Sequence, residues 1–254
     1  MRSVELTPRE RLIFALDVES LGAAEELVAT LHEWVGMFKV GHQLYSSAGP
    51  AAVEMVKARG AGCFLDLKYH DIPATVASAG VAAMRLGVDM FNLHIQGGEH
   101  MIRACLCACR EEAARAKRPA PNILGVTILT SLNDEALHQL GYDRSVRDQV
   151  LRLARLAREA GLDGVIASPQ EAREIKDACG QDFLVVTPGV RPSWGSAENH
   201  RRLSTPAGAR NRGADYIVVG RPIRDAADPA DAARLIWREL AEAEGYPPGM
   251  SDAD

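Results

Sequence analysis

Asp66 and Lys68 stand two residues apart, with Asp71 three residues further on. In an extended segment the first two would project to the same side. An ammonium held beside a carboxylate can stabilise a developing negative charge or deliver a proton. Two more charged residues belong to short apolar runs nearer the start of the chain, Asp17 after Phe14-Ala15-Leu16 and Lys39 within Phe38-Lys39-Val40-Gly41. Two lysines and two or three carboxylates gathered in one pocket would alternate in charge and favour one another's ionised forms, so full ionisation is expected at neutral pH. A salt-bridge network that only closes the top of the fold is the plainer alternative. It is the weaker one, because ionised groups resist burial that serves no use.

Two later runs end in a different chemistry, Thr187-Pro188-Gly189-Val190-Arg191 and Val219-Gly220-Arg221-Pro222-Ile223. Glycine after a strand lets a ligand approach the backbone, and a neighbouring arginine offers a fork of donors suited to phosphate oxygens. Each piece alone is common; the repetition points to a phosphorylated small molecule. No His-x-x-x-His pair, no dinucleotide glycine fingerprint and no Ser/His/Asp order accompanies them, so metal hydrolysis, hydride transfer and acyl transfer lack carriers.

The elements that must position these groups are short apolar runs, each followed by a longer amphipathic segment. Eight such runs occur, at 13–18, 37–41, 63–68, 90–95, 123–129, 164–167, 183–187 and 216–220. Between them the period turns helical: Val150, Leu153, Ala154, Ala157 and Ala160 share one face while Arg152, Arg155 and Arg158 turn outward. Runs apolar on both faces imply parallel strands. Eight β-then-α repeats fit a closed (β/α)8 barrel, a TIM barrel, better than an open sheet of five or six strands. Residues 1–243 are expected to form one barrel domain and residues 244–254 a polar, frayed tail. In such barrels the ligand site lies at the C-terminal ends of the strands, where the charged residues above fall.

The composition, 47% hydrophobic and 25% charged over 254 residues, excludes global disorder. The apolar runs fall far short of the roughly 20 residues of a membrane-spanning helix. The segment 1–7 has no apolar core of a secretory signal, and a cytoplasmic location is expected. A net charge of −5 with scattered basic residues gives no footprint for nucleic acid. Cys105, Cys107 and Cys109 could suggest a metal cluster, but on a helix Cys107 would face away from the other two. Structural cysteines are the expectation.

The stretch Phe64-Leu65-Asp66-Leu67-Lys68-Tyr69-His70-Asp71-Ile72-Pro73-Ala74-Thr75-Val76 resembles the signature of the orotidine 5'-phosphate decarboxylases, Asp-x-Lys-x-x-Asp-Ile-Pro-x-Thr. Phe14-Ala15-Leu16-Asp17, Phe38-Lys39-Val40-Gly41, Val126-Thr127-Ile128-Leu129-Thr130-Ser131 and the two glycine-arginine turns follow in that family's order over nearly the whole chain. The His-Asp-Ile-Pro form resembles the bacterial branch. The resemblance implies conversion of orotidine 5'-phosphate to uridine 5'-phosphate, the last step of pyrimidine nucleotide synthesis, without metal or organic cofactor. It implies that Lys68 protonates the pyrimidine C6, that Asp66 lies near the departing carboxylate, and that Lys39 and Asp17 bind the ribose hydroxyls. Thr130 and Ser131 would address the pyrimidine, and Arg191, Gly220 and Arg221 the phosphate. It further implies a homodimer in which Asp71 and Thr75 reach into the neighbouring subunit's site, completing a Lys-Asp-Lys-Asp tetrad.

One departure stands out. The family usually has a glutamine on the loop over the phosphate, where this chain has His200 in Asn199-His200-Arg201-Arg202. A neutral imidazole still donates one hydrogen bond, and a protonated one adds attraction to phosphate. His42, beside Gly41, is expected to pack or face solvent. Two rival readings remain. Magnesium-dependent sugar-phosphate decarboxylases and aldolases of the same superfamily share Asp-x-Lys-x-x-Asp, but they resemble this chain less at Lys39, where they carry an acid; a second ammonium would repel a divalent cation. A non-catalytic barrel that only binds nucleotide phosphate would gain nothing from a charged tetrad that must be desolvated.

Overall fold

A computed structural model describes residues 6–194 and 204–246 of the chain. Eight parallel strands close on themselves in sequence order: β1 (Leu12–Ala15), β2 (Met37–Gly41), β3 (Gly62–Tyr69), β4 (Met90–His94), β5 (Asn122–Val126), β6 (Gly164–Ile166), β7 (Leu184–Pro188) and β8 (Tyr216–Val219). The circle is completed where Ile13 pairs with Val218. This is the expected (β/α)8 barrel.

The strands are buried on both faces because each face packs against something different. Ile13, Ala15, Phe64, Met90, Leu124, Val186, Tyr216 and Val218 fill the barrel interior. Phe14, Phe38, Leu65, Phe91 and Val185 point the other way, into the layer beneath the helices. Alternation therefore operates along each strand, but apolar on both sides. The helix Val146–Ala160 shows the matching pattern, with Val150, Leu153, Ala154, Ala157 and Ala160 buried and Arg152, Arg155 and Arg158 exposed. Ser145 caps its start and Gly161, in the left-handed region at φ 96°, ends it. Cys105 and Cys109 are buried and Cys107 is exposed, as the helical spacing requires. Their helix, Gly98–Ala116, packs close to Pro73–Arg85 at Gly80, where a Cβ would stand 2.7 Å from Cys105 Sγ.

Two expectations need correction. Helices do not follow strands one for one: β2 is followed by His42–Ala48 and Ala51–Ala58, β5 by Asp134–Gln139 and Val146–Ala160, and β8 by Arg221–Arg224 and Pro229–Ala243. The first pair breaks at Gly49-Pro50, with Gly49 at φ 59°, a conformation a continuing helix cannot hold. Strands also stop before some apolar runs do. β5 ends at Val126, not at residue 129: at Thr127 the backbone N–H reaches the Ile166 carbonyl only at 3.4 Å, the hydroxyl donates to the same oxygen at 2.8 Å, and the strand goes no further. The residues released in this way, Ile128 and Leu129 among them, line the barrel mouth. Glu244, the first residue assigned to the tail, bridges Arg11 at 2.5 Å and Arg210 at 2.6 Å. Residues 247–254 of the expected tail lie outside the described residues.

Candidate active site

The register of β1, β2 and β3 decides which charged groups meet. Ala15 pairs with Lys39 and Lys39 with Phe64, while Asp66 is level with Gly41, two residues further along β2, so Lys39 stands below Asp66 and its side chain extends up toward it. Lys39 Nζ lies 3.3 Å from Asp17 Oδ1 and 3.3 Å from Asp66 Oδ2, and Lys68 Nζ donates to Asp66 Oδ1 at 2.6 Å. Lys39 and Asp66 are buried, Lys68 is partly so, and Asp17 is open to the mouth. Burial by itself would raise the Asp66 pKa. The ammonium groups of Lys39 and Lys68, with hydrogen bonds from Lys68 and Asn92, outweigh it and hold the carboxyl below its ordinary value. Asp66 is an anion clamped between two cations at neutral pH.

These groups form one wall of a cavity of about 380 Å³, a size suited to a small ligand. Asp17, Lys39, Asp66 and Lys68 line it, together with Thr130, Ser131, Arg191, Gly220 and Arg221. The structure thus brings together nine residues singled out in the sequence. At Gly220 a Cβ would only touch Ala15 Cβ, at 3.4 Å, and Asp17 Oδ2, at 3.9 Å, which are ordinary packing distances. Arg221 opens the short helix Arg221–Arg224 and is exposed, and Arg224 donates to the Asp17 carbonyl at 2.8 Å, tying the two ends of the barrel's seam.

Asp71 and Thr75 do not join them within one chain. Asp71 sits on the exposed loop after β3, where its carboxylate accepts from the Ile72 backbone N–H at 2.6 Å, and Thr75 is exposed in the first turn of Pro73–Arg85. His200 lies outside the described residues. His42 is exposed at the start of its helix, as expected.

Sequence reasoning passed over two residues of β4. Asn92 is fully buried; its Nδ2 donates to Asp66 Oδ1 at 2.7 Å and its Oδ1 accepts from the Lys68 backbone N–H at 2.8 Å. His94 packs its ring on His70 with centroids 5.3 Å apart, and its Nδ1 is buried without a hydrogen-bond partner among the described residues. Burial, then His70 and Lys68, lower its pKa, so the imidazole is neutral at neutral pH. The signal was present in the run 90–95, where Asn and His occupy alternate positions of an otherwise apolar strand.

The family model for orotidine 5'-phosphate decarboxylase / HUMPS matches residues 10–236. The chain belongs to the orotidine 5'-phosphate decarboxylase / HUMPS family. It is 54% identical over 238 residues to the orotidine 5'-phosphate decarboxylase of Moorella thermoacetica, covering 93% of this chain and 94% of that one. It is 52% identical over 235 residues to that of Syntrophotalea carbinolica, covering 92% and 96%. Among solved structures, the orotidine 5'-phosphate decarboxylase of Lactobacillus acidophilus superposes with a TM-score of 0.80 at 35% identity, over 90% of this chain and 98% of the other. In this family setting the cavity presents a clamped charge cluster on one wall and glycine-arginine turns on the other. Such an arrangement can fix an anionic phosphate at one end of a ligand and an ammonium donor at the other.

Proposed function

We propose that this chain converts orotidine 5'-phosphate to uridine 5'-phosphate, the last step of pyrimidine nucleotide synthesis, with no metal or organic cofactor. One observation carries the reading: the Lys68 ammonium stands 2.6 Å from Asp66 in the same cavity as Arg191 and Arg221. Breaking the bond between C6 and the carboxylate leaves an electron pair on C6 that no adjacent carbonyl or imine delocalises. Fixed positive charge must then stabilise it, and in a site poor in water such charge needs no reorganisation. Lys68 supplies that charge and then its proton to C6; carbon dioxide leaves, and the neutral amine regains a proton from solvent. Asp66 lies near the departing carboxylate and holds Lys68 in place.

In the same reading Lys39 and Asp17 hold the ribose hydroxyls, Thr130 and Ser131 address the pyrimidine, and Arg191, Gly220, Arg221 and His200 grip the phosphate. Asp71 and Thr75 complete the site of a neighbouring copy, making the working form a cytoplasmic homodimer. Their exposure beside Ile72, an apolar side chain left 67% exposed, supports that assignment. The magnesium-dependent alternative is disfavoured by Lys39, whose ammonium lies between Asp17 and Asp66 where a divalent cation would seek those carboxylates. Lys68→Ala tests the reading. Turnover of orotidine 5'-phosphate should be lost, while uridine 5'-phosphate, held through its phosphate and ribose, should bind within about tenfold of wild type. Turnover retained in the variant would remove Lys68 from the chemistry.

A further inference from the structure

Asn92 does not line the cavity, yet its amide touches both members of the Lys68–Asp66 pair. Its position coincides with a break in the barrel. β3 and β4 pair at Leu65 and Phe91 and next at Tyr69 and Leu93, so Asp66, Leu67 and Lys68 stand opposite Asn92 alone. Within this bulge Lys68 adopts φ 51°, a left-handed conformation that a side chain with a Cβ disfavours. The bulge costs Lys68 its place in the regular ladder. The Asn92 carbonyl oxygen takes the Lys68 N–H instead, at 2.8 Å, while the other end of the same amide donates to Asp66 at 2.7 Å.

We propose that Asn92 is a positioning residue: its amide fixes the bulge so that the Lys68 ammonium and the Asp66 carboxylate face each other across the cavity floor. The task needs one donor and one acceptor on a short, uncharged side chain, which is the inventory of asparagine. An aspartate would keep the bond to the Lys68 N–H but would set a second anion against Asp66. An alanine would leave a buried N–H without a partner and release the bulge. The kinetic consequence rests on the decarboxylase reading; the geometric one does not.

The test uses N92A and N92D, followed by turnover of orotidine 5'-phosphate, binding of uridine 5'-phosphate, and hydrogen exchange at the Lys68 amide. In N92A kcat should fall roughly 100-fold, the penalty of misplacing a reacting group by about 1 Å, with uridine 5'-phosphate binding within about threefold of wild type. In N92D the acid limb of the kcat profile should move to higher pH, because the added carboxylate opposes ionisation of Asp66. Loss of kcat with nucleotide binding kept is what separates positioning of Lys68 from mere support of the core. The proposal is overturned if N92A keeps kcat within about threefold, or if kcat, nucleotide binding and folded fraction fall in proportion. Should wild type fail to decarboxylate at all, the functional reading fails and the amide decides the inference. Exchange at Lys68 at least about tenfold faster in N92A, with other strand amides unchanged, sustains it, and equal exchange sinks it.

Discussion

Lys39 reaches both of its carboxylates past Gly41, and the absence of a side chain at that glycine is part of the site. The Gly41 backbone is extended, at φ −100° and ψ −171°, so any residue could adopt it. A Cβ there would nevertheless stand 2.8 Å from Lys39 Nζ and 3.4 Å from Asp17 Oδ1. The tip of a lysine moves easily, so the fold should absorb the change and the charge cluster should not. Gly41→Ala is expected to unfold within about 1 kcal/mol of wild type while kcat/KM for orotidine 5'-phosphate drops by tenfold or more, roughly 1.4 kcal/mol of lost transition-state stabilisation. Equal kinetics in the two proteins would show that Lys39 has room to spare. At this scale the charged residues were legible because each interrupts an apolar run that has no packing use for it. Asn92 was not, since an amide in a buried strand reads equally well as a satisfied core residue. Its meaning depends on a register break between β3 and β4 that neither strand announces.

Among the elements, the eight apolar runs marked the strands because burial on two faces leaves little room for polar residues. Their inner ends held up better than their outer ones. Leu16, Val18, Ile128 and Leu129 are as apolar as strand residues, yet they lie beyond the strand ends, and Ile128 and Leu129 line the mouth; periodicity sees hydrophobicity and not hydrogen-bond partners. The doubled helices were hidden for a related reason. Residues 42–58 keep an apolar face throughout, and only Gly49-Pro50 records that the direction changes. Helix faces were clear, as in Val146–Ala160, because one stripe packs and the other carries arginine. The placement of Lys68 beside Asp66 followed from simple alternation, and the two do face the same cavity, but the left-handed turn of the backbone at Lys68 that accompanies it had no signature in the residue types.

For the whole molecule, the single barrel gathers nine of the singled-out residues into one cavity and leaves Asp71, Ile72 and Thr75 exposed on the loop and first helical turn after β3. That division is what a shared site would require, and it can be tested by complementation. Chains carrying Lys68→Ala and chains carrying Asp71→Ala should each be nearly inactive. Mixed one to one and allowed to exchange, they should regain roughly a quarter of wild-type activity, because half of the dimers then hold one intact site of two. No recovery despite proven exchange would place Asp71 in its own chain's site or outside the chemistry. The most direct test of the account is turnover itself: EDTA-treated protein is mixed with orotidine 5'-phosphate and the loss of the orotate chromophore is followed as uridine 5'-phosphate forms. Full activity that added magnesium does not raise is expected. No turnover, or decarboxylation of a sugar phosphate that appears only with magnesium, would contradict it.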